Sequence, residues 1–133
     1  MSKPSVFIVT ANGCSACDRF KSRIDESLMD KLYKDNRVQV YRINLSSMSE
    51  PLPSTYPKEL NKYIMWYPTF IIMFPNGRVA VFNGEVTESK LSGPFNDRPI
   101  SEQSILAWIN EEVTNNASQR KITSNRLYKP YGI

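Results

Sequence analysis

Hydrophobic positions along the chain follow two periods, and the changes between them mark the elements. Ser5-Val6-Phe7-Ile8-Val9-Thr10 is a continuous apolar run, the composition of a strand buried on both faces. Asn12-Gly13 breaks it. From Ser15 to about Lys34 the apolar residues Phe20, Ile24, Leu28 and Leu32 return at every fourth position, which predicts one helix with one buried face. Asp35-Asn36 ends that pattern, and Val38, Val40, Tyr41 and Ile43 predict a second strand. The helix between the two strands is long enough for a crossover, so they should run parallel.

Further on, Leu45 to Tyr56 holds several serines and prolines and reads as a long loop, followed by a short helix over Pro57 to Ile64. Thr69-Phe70-Ile71-Ile72-Met73-Phe74 and Arg78-Val79-Ala80-Val81-Phe82 are two apolar runs joined by Pro75-Asn76-Gly77. Asn-Gly between such runs predicts a hairpin. Asn83 to Pro99 reads as a second long loop. Ser101 to Val113 reads as a closing helix, with Ser101 as N-cap and Ile105, Leu106, Trp108 and Ile109 as its buried stripe. Thr114 to Ile133 has no sustained period and reads as an extended arm. The expected division is a domain over 1–113 and a basic C-terminal arm over 114–133.

Composition narrows this picture. The 133 residues are 41% hydrophobic, enough for one domain with one core. No apolar run approaches the length of a membrane span. The first residues, Met1-Ser2-Lys3-Pro4-Ser5, lack the regions of a signal peptide, so a reducing, cytoplasmic compartment is expected. The net charge of +4 gathers at the C-terminus, where Arg120, Lys121, Arg126 and Lys129 follow the last acidic residue, Glu112. A basic arm on a near-neutral body points to docking on a neighbouring protein, and its few charges do not argue for nucleic acid.

The candidate chemistry lies in Cys14-Ser15-Ala16-Cys17, which contains the only two cysteines of the chain. This pair falls at a predicted strand-to-helix junction. A helix N-terminus carries unpaired N–H groups and partial positive charge, and so stabilises a thiolate. Histidine is absent. Two Cys without His do not complete a structural zinc site, and no metal or other cofactor is expected.

A second stretch, Met65-Trp66-Tyr67-Pro68-Thr69-Phe70-Ile71-Ile72-Met73-Phe74-Pro75-Asn76-Gly77, sharpens the reading. Together with the CxxC and the order of elements, it resembles the thioredoxin-like superfamily over about residues 5 to 113. The resemblance implies an α/β fold with a mixed four-stranded sheet flanked by helices. It also implies a cis Tyr67–Pro68 bond beside the cysteines. Cys14 would be the nucleophile and Cys17 the resolving thiol, with Trp66, Tyr67, Pro68 and Thr69 forming the substrate-binding segment. A cluster bridging two copies, as in some glutaredoxins, is the alternative use of the cysteines.

Three positions depart from the thioredoxin pattern. Gly13 stands where Trp is common, Ser15-Ala16 replaces Gly-Pro, and Ile8 replaces a buried Asp that assists the second cysteine. Both long loops should border the cysteine pair, because parallel strands present their carboxyl ends on one side. The leading expectation is a thiol–disulfide oxidoreductase acting on protein disulfides. The alternative is a thioredoxin-like structural or interaction module within a larger multiprotein particle, with little or no turnover.

Overall fold

The computed structural model describes residues 3–95 and 98–128, with side chains as far as 116 in the last helix. The predicted strands form a single sheet in the order β2-β1-β3-β4. They comprise β1 (Ser5–Ala11), β2 (Gln39–Leu45), β3 (Thr69–Met73) and β4 (Val79–Val81). β1 runs parallel to β2 and antiparallel to β3, and β3 pairs antiparallel with β4. The continuous apolar run thus becomes a central strand covered on both faces.

Alternation along β1 divides the core in two. Val6 and Ile8 face a cluster built with Phe20, Leu28, Leu32, Ile105, Trp108 and Ile109. Phe7, Val9 and Ala11 face the other cluster, which includes Leu52, Leu60 and Tyr63. All the long helices lie on the first face. The second is covered by the loop after β2 and by a 3-10 helix, Lys58–Tyr63. Edge-to-face aromatic pairs link Phe20 to Phe70 (5.3 Å), Phe70 to Phe82 (5.7 Å) and Phe82 to Trp108 (5.5 Å). This series joins the helix that follows the cysteines to the closing helix across the sheet.

Three elements differ from the sequence expectation. The helix predicted from Ser15 to Lys34 is two helices, α1 (Ser15–Arg23) and α2 (Asp25–Tyr33), broken at Ile24 with φ −123°. A spacing of four residues rotates about 40° per step in a helix of 3.6 residues per turn. Over Phe20, Ile24, Leu28 and Leu32 that drift would carry a straight helix off the sheet. The break restores the register, and it places Asp25 to pair with Arg42 of β2 at 3.1 Å.

The loop expected from Asn83 to Pro99 contains a second, two-stranded sheet, β5 (Glu85–Thr87) and β6 (Lys90–Ser92). Its turn residues Glu88 and Ser89 both have positive φ, 52° and 64°. Neither residue type signals such a turn in the way that Asn-Gly does. Residues 96 and 97 of this stretch lie outside the described residues.

The closing helix, α3 (Glu102–Tyr128), does not stop at Val113 but continues for 27 residues in all. Ser101 caps it, its Oγ accepting from the Ser104 N–H at 3.1 Å. The expected extended arm is therefore helical backbone as far as Tyr128. No Pro or Gly occurs from Glu102 to Tyr128 to interrupt the helix, and Pro130 is the first breaker. The loss of hydrophobic period after Val113 does not mark the end of the helix. Residues 129–133, the remainder of that arm, lie outside the described residues.

Candidate active site

The turn Asn12-Gly13 carries the chain from β1 into α1. Gly13 adopts φ +78°, which a side chain would strain. Asn12 N–H donates to the Leu45 carbonyl at 2.9 Å, so the two parallel strands end together beneath the cysteines. Cys14 is the N-cap of α1 in extended conformation, and its Sγ accepts from the Cys17 N–H at 3.1 Å. Cys14 and Cys17 are joined as a disulfide with Cα atoms 5.2 Å apart. One turn of helix is sufficient to hold both sulfurs within bridging distance.

Exposure at the pair is low. Cys17 is fully buried and Cys14 is 7% exposed. The first cysteine is thus largely covered in the disulfide form. Ile8 is fully buried within the apolar cluster under α1.

The strand register brings the second motif to the same end of the sheet. Val9 pairs with Thr69, so Tyr67-Pro68 leaves β3 where Ala11 and the cysteine turn leave β1. The Tyr67–Pro68 bond is cis. Thr69 is fully buried, and its hydroxyl donates to the Trp66 carbonyl. Pro68 is buried, whereas Trp66 and Tyr67 are half-buried.

Both flanking loops reach this segment. The Tyr67 hydroxyl donates to the Met48 carbonyl at 3.2 Å, across from the loop after β2. Burial pushes the Tyr67 phenol above its ordinary pKa, which keeps it a donor. On the other side, a Cβ placed on Gly84 would lie 3.1 Å from the Trp66 indole and 2.6 Å from Leu91 Cδ1. The indole therefore lies over the start of the β5–β6 hairpin.

A polar cluster that the sequence did not signal supports the cysteine turn from below. Asn44 Oδ1 accepts from Thr10 Oγ1 at 2.8 Å and from Lys21 Nζ at 2.6 Å, and its Nδ2 donates to Asn12 Oδ1 at 3.1 Å. One side chain on β2 thus ties together β1, α1 and the turn before Cys14. The available hint was the polar pair Thr10 and Asn44 at the ends of two apolar strands. Among the described residues no group of metal-binding side chains converges. No helix among them is long and apolar enough to cross a membrane.

The sheet order, the disulfide at the head of α1 and the proline-led third strand together define a thioredoxin-like α/β fold with a CxxC cysteine pair. No family model matches the chain, and no curated protein matches it in sequence. Among solved structures it is similar to the solution structure of the first thioredoxin domain of mouse Protein disulfide-isomerase A4. Identity is 14% with a TM-score of 0.53, over 84% of this chain and 64% of that one. At this identity the likeness is one of fold.

Proposed function

We propose that the protein is a thiol–disulfide oxidoreductase in which a Cys14/Cys17 dithiol reduces disulfides of protein partners. The carrying observation is a disulfide at the N-terminus of a helix, where the Cys17 N–H points at Cys14 Sγ at 3.1 Å. In the reduced protein the same N–H and the helix terminus favour the Cys14 thiolate. That thiolate attacks a partner disulfide, forming an S–S bond to one partner sulfur and releasing the other as a thiolate. Cys17, having lost its proton, attacks Cys14 Sγ. The Cys14–Cys17 bond forms, and the second partner sulfur leaves and takes up a proton. Two electrons pass to the partner, and a dithiol donor must return them.

In this reading Trp66 and Tyr67 present their half-buried surfaces to the partner. Pro68 and Thr69, both buried, shape the backbone that an extended partner segment would pair with. The 7% exposure of Cys14 restricts attack to partners that seat against the site, in keeping with a selective exchanger. The test is to expose Cys17→Ser to a lysate and identify trapped mixed disulfides. Capture of partners by Cys17→Ser, and none by Cys14→Ser, is the expected result. No capture, together with no dithiol-dependent turnover by the unaltered chain, rejects the reading.

The same low exposure favours a second reading, an interaction module with little turnover, in which residues 114–133 dock on a neighbouring protein of a larger assembly. Its added support is the backbone of α3, which stays helical through the expected arm as far as Tyr128. Deleting 114–133 should then abolish assembly while leaving any disulfide exchange in place. Normal assembly by the truncated chain rejects this reading. A reducing compartment belongs to both proposals.

A further inference from the structure

A groove on the helical face of the sheet runs along α1 from Ala16. It encloses about 230 Å³ and is lined by Ala16, Arg19, Phe20, Arg23, Ile24 and Ile100. Ala16 is one of the two residues between the cysteines, so one end of the groove lies next to the disulfide in sequence. Phe20 and Ile24 belong to the cluster under the helices. Trp66 and Tyr67 pack with the cluster on the opposite face, so this groove is separate from the segment around Pro68. Ile100 keeps 41% of its surface exposed along the groove wall.

The charges on the rim are unusual for this protein. Arg37, Arg42, Arg78 and Arg98 each hold a carboxylate within 3.2 Å. Among the described residues Arg19 and Arg23 hold none, although Asp18 and Glu26 are close in sequence. Both arginines are exposed. Four residues apart on α1, they stand one turn apart on the same side of the helix. Two unpaired guanidinium groups above an apolar floor form a surface complementary to carboxylates flanking an apolar side chain.

We propose that this groove selects the disulfide partner by receiving an acidic segment next to the partner's cysteine. Carboxylates of that segment meet Arg19 and Arg23, and an apolar side chain between them rests on Ile24 and Ile100. This assignment rests on the oxidoreductase reading and names the substrate class for it. Exposed ion pairs act mainly on encounter and are screened by salt, so the selection appears in kcat/KM at low ionic strength.

The test compares two synthetic disulfide peptides, alike except that Glu or Lys flanks the cysteine beside one Leu. Rates are measured with the full chain at low salt, each divided by the same variant's rate on a small neutral disulfide. The unaltered protein should prefer the Glu peptide by about 5- to 10-fold, and the preference should fade in 0.5 M salt. Arg19→Glu with Arg23→Glu should invert it toward the Lys peptide. Equal rates on the two peptides, or a preference that survives the double reversal, overturns the groove assignment. No reaction with either peptide or with the small neutral disulfide overturns the oxidoreductase reading instead, so the two failures are distinguishable.

Discussion

Asn44 offers a quantitative check on the polar cluster beneath the cysteine turn. In Asn44→Ala three hydrogen bonds disappear, but their costs differ. Lys21 is exposed, so its ammonium returns to water with little loss. The Asn12 amide is exposed as well. Thr10 is 2% exposed, and its hydroxyl would be left with only the Ile43 carbonyl at 3.4 Å. An under-satisfied buried hydroxyl costs about 1–3 kcal/mol, and with that partial fallback the loss should be about 1.5–2 kcal/mol. Thr10→Val keeps the shape and removes the hydroxyl, and should cost about 1 kcal/mol. In the double variant no hydroxyl remains to be satisfied, so the total should fall about 1 kcal/mol short of the sum. Urea unfolding of the four proteins at a common m-value measures this coupling. Additivity to within about 0.3 kcal/mol would refute the claim that Thr10 depends on Asn44.

The Trp66 environment and the acid limb of stability supply further tests. Gly84→Ala sets a Cβ against the Trp66 indole and the Ser92 carbonyl, at 3.1 Å and 3.3 Å, as well as against a Leu91 methyl that can turn aside. A loss of about 1 kcal/mol and a shift of Trp66 emission are expected, read in a Trp108→Phe background. Unchanged emission would show that the indole does not lie over Gly84. Asp35 is held below the ordinary carboxylate pKa, first by the hydrogen bond from the Arg37 side chain and against the opposing effect of desolvation. A depressed folded pKa gives stability that is present above the unfolded value and lost as pH falls through the folded one. The window therefore lies below about pH 4. Arg37→Met should lower stability at pH 6 by less than about 1 kcal/mol and flatten the decline below pH 4. An unaltered slope in that window would dismiss the Asp35–Arg37 pair as its source.

Elements whose burial is set by neighbours in sequence were legible before the structure. The run Val6 to Val9 announced a strand covered on both faces, and it is the central strand. Asn76-Gly77 announced the β3–β4 hairpin, because a turn of that kind needs a residue free of Cβ strain. Ser101 announced the start of α3. Where the sequence misled, a local rule was overruled by a distant contact. The four-residue spacing through Ile24 looked like one helix, but the sheet and Arg42 required a break. Glu88-Ser89 carries no turn signature, yet Val86 and Leu91 pack on the cluster beside Trp66 and fold the hairpin back.

The candidate site divides along the same line. The sequence by itself determined the chemistry available: two cysteines one helical turn apart, no histidine, and a proline leading the third strand. Residue types and short spacings are properties of the chain, and they settle which bonds can form. Access to that chemistry was decided only by the tertiary structure. The covering of Cys14, the tie from Asn44 to the cysteine turn, the loops meeting at Trp66 and Tyr67, and the groove that sets Ile100 beside Arg19 and Arg23 all depend on positions far apart in sequence. Such juxtapositions follow from the closing of the sheet, whose strand order no local pattern encodes.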